Sequence, residues 1–240
     1  MIRAPRIDIH SHVALPHVLE MARAIKVRGS GPGKQDWVAP ASSAEHARQA
    51  RAVAPKLARP RPRLTDMDAM GIDIQVISMN LPTAVYWTAG ATGWKVTRAC
   101  NDGIAEFIGA VPERFVGLGA VPLQDMDRTV KELDHAMGLG LKGVIIPSNV
   151  RNHDLGEDRF RPFWMRAEEL SAVVCIHPRG FTHDERLRKF FLWNAIGQPL
   201  EEALAMASLI HEGVMEDFPA SRCSCPMVVA TCPTIRGAAT

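Results

Sequence analysis

The run Arg6-Ile7-Asp8-Ile9-His10-Ser11-His12 is short, β-branched and closed by two histidines spaced two residues apart. In an extended chain alternate residues point to the same side, so His10 and His12 project together from a strand end. Two neighbouring imidazoles make half of a site for a borderline divalent metal such as zinc. A second run, Val173-Val174-Cys175-Ile176-His177-Pro178, also closes on histidine. If both runs are parallel strands of one barrel, the three rings lie across the same C-terminal mouth, where such barrels keep their chemistry. Three imidazoles can hold a divalent metal and leave a position for water or substrate, and the metal lowers that water's pKa toward neutrality. Arg179, two residues on, is placed to meet a carboxylate bidentately, with a solvated surface arginine as the competing reading. Each histidine alone reads equally well as a polar residue at a strand end; together the two runs favour ligands.

Strands and helices alternate along the chain in a way that can position these residues. After the first strand, strands are expected at 73–79, 115–121, 142–146 and 172–177. Helices are expected at 15–26, 66–70, 93–111, 125–139, 159–170, around 185–193 and at 200–217, the second capped by Thr65 and stopped by Gly71. Several strands are continuous apolar runs, the mark of a parallel sheet covered by helices. The first strand ends in His-Ser-His rather than Gly-x-Gly-x-x-Gly, which argues against a dinucleotide-binding sheet and for an α/β (β/α)8 TIM barrel. About five β/α units and the following helix are readable, so the barrel is incomplete. A polar, Gly/Pro-punctuated stretch at 28–62 reads as an inserted loop. Arg48, Arg51, Arg59, Arg61 and Arg63 read as solvated surface or as partners for an anionic substrate.

Composition narrows the partners. The 240 residues are 47% hydrophobic with a net charge of +2, enough for one domain with a sizeable core. There is no basic stripe interleaved with aromatics, so nucleic acid is not an expected partner. No signal-peptide core and no membrane-length apolar run occur, which predicts a cytoplasmic protein with no membrane partner. Cys100 and Cys175 read as small buried thiols. Cys223, Cys225 and Cys232 crowd together at a spacing that matches no common zinc motif. His17, His46, His135, His153, His183 and His211 sit on helices or loops and are weaker candidates.

Five segments resemble the amidohydrolase superfamily, and within it the metal-dependent decarboxylases related to aminocarboxymuconate-semialdehyde decarboxylase. They are IDIHSH, LTDMDAMGIDIQVIS, NDGIAEFIGAVPERFVGLGAVPLQD, LGLKGVIIPSNV and the IHPRG that contains His177, with PLEEALAMASLIHEGVMEDFP resembling the helix that follows. The resemblance runs in register over 6–219. It implies a barrel whose metal, zinc or alternatively manganese, is held by His10, His12 and His177 beside a small carboxylated substrate. It implies carbon–carbon lyase activity releasing carbon dioxide, with metal-dependent hydrolysis or a non-catalytic metal-binding fragment as alternatives, and homo-oligomers among complete members. In the family a further histidine opens a His-Gly-Gly-Gly motif at the sixth strand, and a metal-bound aspartate comes from the eighth; neither is among these 240 residues.

From about Ser221 the composition shifts to cysteine, threonine and small residues, without an acidic group or a strand–helix pattern. A shifted reading frame accounts for this. The last base of the Met227 codon followed by the first two of Val228 spells GGT, a glycine. The neighbouring codons permit histidine before it and Gly-Gly-Tyr-Leu-Pro-Tyr-Tyr-Pro-Gly-Arg after it. The expectation is therefore a partial barrel over 1–220 and an out-of-frame tail over 221–240, whose cysteines need no function.

Overall fold

The computed structural model describes residues 3–25, 40–79, 85–178, 187, 190 and 192–226, with 40–43, 45 and 46 described for backbone alone. The chain opens with β1 (Ile7–Val13), α1 (Pro16–Ala24), α2 (Pro40–Ala58), α3 (Pro60–Met70), β2 (Ile74–Met79) and α4 (Gly90–Gly109). Then come β3 (Phe115–Leu118), α5 (Met126–Gly138), β4 (Gly143–Ile146), a small hairpin of β5 (Asn149–Val150) and β6 (His153–Asp154), and α6 (Arg161–Glu169). β7 (Val173–Ile176), α7 (Gln198–His211), α8 (Val214–Asp217) and β8 (Arg222–Ser224) follow.

β1, β2 and β3 pair in parallel, as do β4, β7 and β8. A parallel bridge between Gly119 and Val144 joins the two groups, with Gly119 N–H donating to the Gly143 carbonyl and Ile145 N–H to the Gly119 carbonyl, both at 2.8 Å. Apart from the β5–β6 hairpin, the strands therefore stand in sequence order. A doubly wound sheet reverses its order at a switch point; parallel strands in sequence order form the wall of a barrel.

The continuous apolar runs explain this layering. Ile77, Val144, Ile145, Ile146, Val174 and Ile176 are all fully buried, as are Ile104 of α4, Leu133 of α5 and Trp164 of α6, which belong to the same core. Each such side chain contributes about 1.5–3 kcal/mol through burial. Asp125 caps α5, its side chain accepting the Arg128 N–H at 3.2 Å, which satisfies one of the helix's orphan donors. Gly71 ends α3 in the left-handed region at φ 68°. Gly143 lets β4 and β7 close together, because a Cβ there would lie 1.9 Å from the Val173 carbonyl oxygen.

Four local expectations change. Residues 40–58 of the expected loop form α2, and Pro60 opens α3 in its first turn, where the missing N–H of proline removes no helical bond. α2 is largely exposed and contains Pro55, so neither apolar periodicity nor the absence of proline announced it. Thr65 consequently lies inside α3 and caps nothing. The helix expected at 200–217 breaks at Gly213, in the left-handed region at φ 78°, into α7 and α8. Residues 222–224, expected to lack regular structure, pair with Val173–Cys175 of β7; backbone hydrogen bonding needs no side-chain pattern. Residues 28–39 and most of 185–193 lie outside the described residues. No described helix is long and apolar enough to cross a membrane.

Candidate metal centre

β1 carries a register jump. Asp8 pairs with Gln75 and Ser11 with Ile77, so three steps along β1 match two along β2. Such a bulge re-aims side chains. It puts Asp8 and Ser11 on the face shared with Gln75 and Ile77, and sends His10 and His12 to the other. β7 delivers His177 from its C-terminal end, where the His177 N–H donates to the Ile146 carbonyl at 2.8 Å.

The three imidazoles meet. Ring centroids are 5.1 Å apart for His10–His12, 5.0 Å for His10–His177 and 5.1 Å for His12–His177, all edge to face. One nitrogen from each lies within 4.8 Å of the other two, the sole cluster of this kind among the described residues. Tetrahedral ligands at zinc–nitrogen distances stand roughly 3.3 Å apart, so small side-chain movements close the set.

Hydrogen bonds select the free nitrogens. His177 Nδ1 is 2.8 Å from the Pro178 carbonyl, which can only accept, so the proton sits on Nδ1 and Nε2 keeps its lone pair. Ser78 Oγ donates to the Ser11 carbonyl at 3.3 Å and faces His12 Nδ1 at 3.1 Å. Its proton is thus committed elsewhere, and His12 Nδ1–H donates to it, leaving Nε2 bare. This carbonyl- or hydroxyl-held imidazole is the usual support of a metal-ligating histidine.

Electrostatics keep the rings neutral, the ligating form. Burial, then the neighbouring His177 and His10, push His12 down to about 3. Burial foremost lowers His177 to about 4, against a raising hydrogen bond to the Pro178 backbone. Burial also lowers His10, opposed by the carboxylate of Asp8.

The other candidates disperse. His17 is exposed against the Ala99 carbonyl, His135 contacts Asp102, and His153 contacts Glu157. Arg179 and His183 lie outside the described residues, as does the His46 side chain. Burial drives the thiols of Cys100 and Cys175 up to about 12 and that of Cys223 to about 11, so they are inert at neutral pH. The supports Asp8, Gln75 and Ser78 were missed in the sequence. Their only signal was polarity at Gln75 and Ser78 within the otherwise apolar strand IQVISM.

The Amidohydrolase family profile matches residues 7–230. The chain belongs to the amidohydrolase family. It is 32% identical over 161 residues to 2-amino-3-carboxymuconate-6-semialdehyde decarboxylase of Dictyostelium discoideum, covering 67% of this chain and 45% of that protein. It is 30% identical over 170 residues to gamma-resorcylate decarboxylase of Rhizobium sp. (strain MTP-10005), covering 65% and 51%. The chain thus spans about half the length of these curated relatives. Among solved structures, 5-carboxyvanillate decarboxylase of Novosphingobium aromaticivorans, complexed with manganese and 4-hydroxy-3-methoxy-5-nitrobenzoic acid, superposes with a TM-score of 0.76 at 24% identity, covering 92% of this chain and 64% of that one. At that identity the likeness establishes the fold, an amidohydrolase barrel wall.

Proposed function

We propose that this chain bears the histidine half of a divalent-metal site in a decarboxylase of small, aromatic carboxylates. The observation that carries this reading is the convergence of His10, His12 and His177, three neutral nitrogen donors within 4.8 Å. The donor set fits zinc, and manganese is the alternative drawn from the solved neighbour. When bound, the metal supplies Lewis-acid stabilisation of negative charge developing on the substrate. The chain's own residues present the three lone pairs, keep the rings unprotonated and fix two tautomers through Ser78 and the Pro178 carbonyl. Arg179, two residues after His177 in the sequence, is proposed to meet the substrate carboxylate.

Two groups of the family's proton-handling machinery, the His-Gly-Gly-Gly histidine and the later aspartate, are absent from the 240 residues. General acid–base catalysis is worth about 10²–10⁴-fold. We assign residues 1–220 to the barrel and 221–240 to an out-of-frame tail whose first residues, as β8, add to the wall through backbone pairing with β7, in a cytoplasmic protein whose complete form is a homo-oligomer. Calorimetry with zinc and manganese tests the site: the chain binds one ion, and a His10→Ala, His12→Ala variant does not. Equal binding by both removes the assignment. Carbon dioxide release from carboxylated phenols tests the activity, with turnover expected only once the frame is restored before Cys223 and the chain also carries the family's later aspartate. Release by the 240-residue chain itself would show the tail to be functional.

A further inference from the structure

Arg63 is 6% exposed, although it belongs to the arginine-rich stretch expected on the surface. Its guanidinium donates to the His12 carbonyl at 2.5 Å, Ser11 Oγ at 2.6 Å, Gln75 Oε1 at 2.9 Å and the Lys56 carbonyl at 3.1 Å. It also lies over the Phe107 ring at 5.7 Å. Gln75 passes the connection on, its Nε2 donating to Asp8 Oδ2 at 2.7 Å, and Asp8 Oδ1 accepts the His10 N–H at 3.1 Å. One cation therefore grips both sides of the register jump, directly at Ser11 and His12 and through Gln75 and Asp8 at His10.

A buried cation bonded to neutral oxygens alone is a costly way to hold a strand. The location explains the cost. Register is weakly specified where pairing is interrupted, and a one-residue slip turns every side chain to the opposite face. Between Asp8 and Ser11 the pairing with β2 is interrupted, and a slip there would separate His10 from His12. The planar guanidinium, with donors in a fixed fork, locks the peptide planes that aim both rings.

We propose that Arg63 is a positioning residue for the metal centre: it pins the β1 bulge so that His10 and His12 share one face. The inference rests on the metal reading above, and the test separates the two. Cobalt(II) is titrated into the full chain and its variants while visible absorption reports affinity and coordination geometry. The unaltered chain binds one cobalt with a ligand-field band. Arg63→Met binds at least tenfold more weakly with a changed band, the size of loss expected when a residue supporting metal ligands is removed. Arg63→Lys does not restore the band, because one ammonium cannot reproduce the fork. Arg114→Met is the control. Arg114 bonds the Ile72 and Asp73 carbonyls just before β2, away from the bulge, and its loss leaves the band unchanged. Should Arg63→Met lack the folded circular dichroism signal, Gln75→Leu carries the test, with a loss of about threefold or more. Unchanged affinity and band in the folded variant tested, or losses matched by Arg114→Met, overturn the inference. No cobalt binding by the unaltered chain overturns the metal reading and this inference together.

Discussion

Glu132 on α5 and His12 on β1 are both withdrawn from water, but their neighbours differ in kind. Glu132 is fully buried and accepts from Trp94 Nε1 at 2.6 Å, Arg98 Nε at 2.8 Å and Asn101 Nδ2 at 2.8 Å. Asn101 also holds the Ala120 backbone through its Nδ2 and Oδ1, at 3.0 and 2.7 Å. Every contact there joins a donor to an acceptor, tying α4 and α5 to the end of β3. At the proposed metal centre three like groups face one another; His177 and His10 make protonation of His12 harder, and His10 that of His177. A cluster that is complete without a ligand serves the fold. One whose lone pairs converge on a common point is complete only when something positive arrives.

The largest effect expected from this contrast is at Glu132. Glu132→Ala leaves buried donors without an acceptor and lowers the unfolding free energy by about 3–5 kcal/mol, read by urea denaturation, while zinc affinity stays within about twofold. The reverse pattern is expected at the centre. His177→Ala weakens zinc binding by more than about 100-fold, beyond the 10–100-fold typical of a supporting residue, and leaves metal-free stability at neutral pH unchanged. A metal-free stability loss like that of Glu132→Ala would erase the distinction.

Acid separates the regions further. In the unfolded chain histidine titrates near 6.5, whereas His12 and His177 are held down to about 3 and about 4. The unfolded state therefore takes up protons first, and stability present above pH 6.5 is lost as pH falls toward 3. Between pH 6 and 4, His12→Phe should flatten the metal-free stability profile by about 1.4 kcal/mol per pH unit, one proton's worth. A profile parallel to the wild type counts against a buried neutral His12. Smallest is Gly71→Ala, outside both clusters, where forcing a Cβ into the left-handed region costs about 1 kcal/mol. That value, measured by denaturation, sets the scale of an ordinary local defect.

The sequence showed the alternation of strands and helices, the parallel sheet and the three histidines, because each is written in local pattern or residue type. It did not show α2, an exposed helix without an apolar stripe, or the bulge in β1. Asp8, Gln75 and Arg63 look unrelated in sequence because their connection is made by pairing between strands. His10-x-His12 alternation was the right signal for the pair, but it said nothing of Asp8. A regular strand would have put Asp8 on the same side, and the register jump removes it.

Most of the described chain lies between His12 and His177, and this governs when the centre can exist during folding. His10 and His12 leave the ribosome early, but their third partner follows four more strands of the wall. Closing so long a loop carries a large entropic cost, so until β7 docks the pair alone faces any metal present. Once all three have met, a bound ion ties the first strand to a late one like a stitch across the mouth. At a free-ion concentration 100 times its dissociation constant it would add about 2.7 kcal/mol to the folded state. Under the proposed metal reading, metal supply during synthesis then becomes a determinant of how much of the chain reaches its folded form.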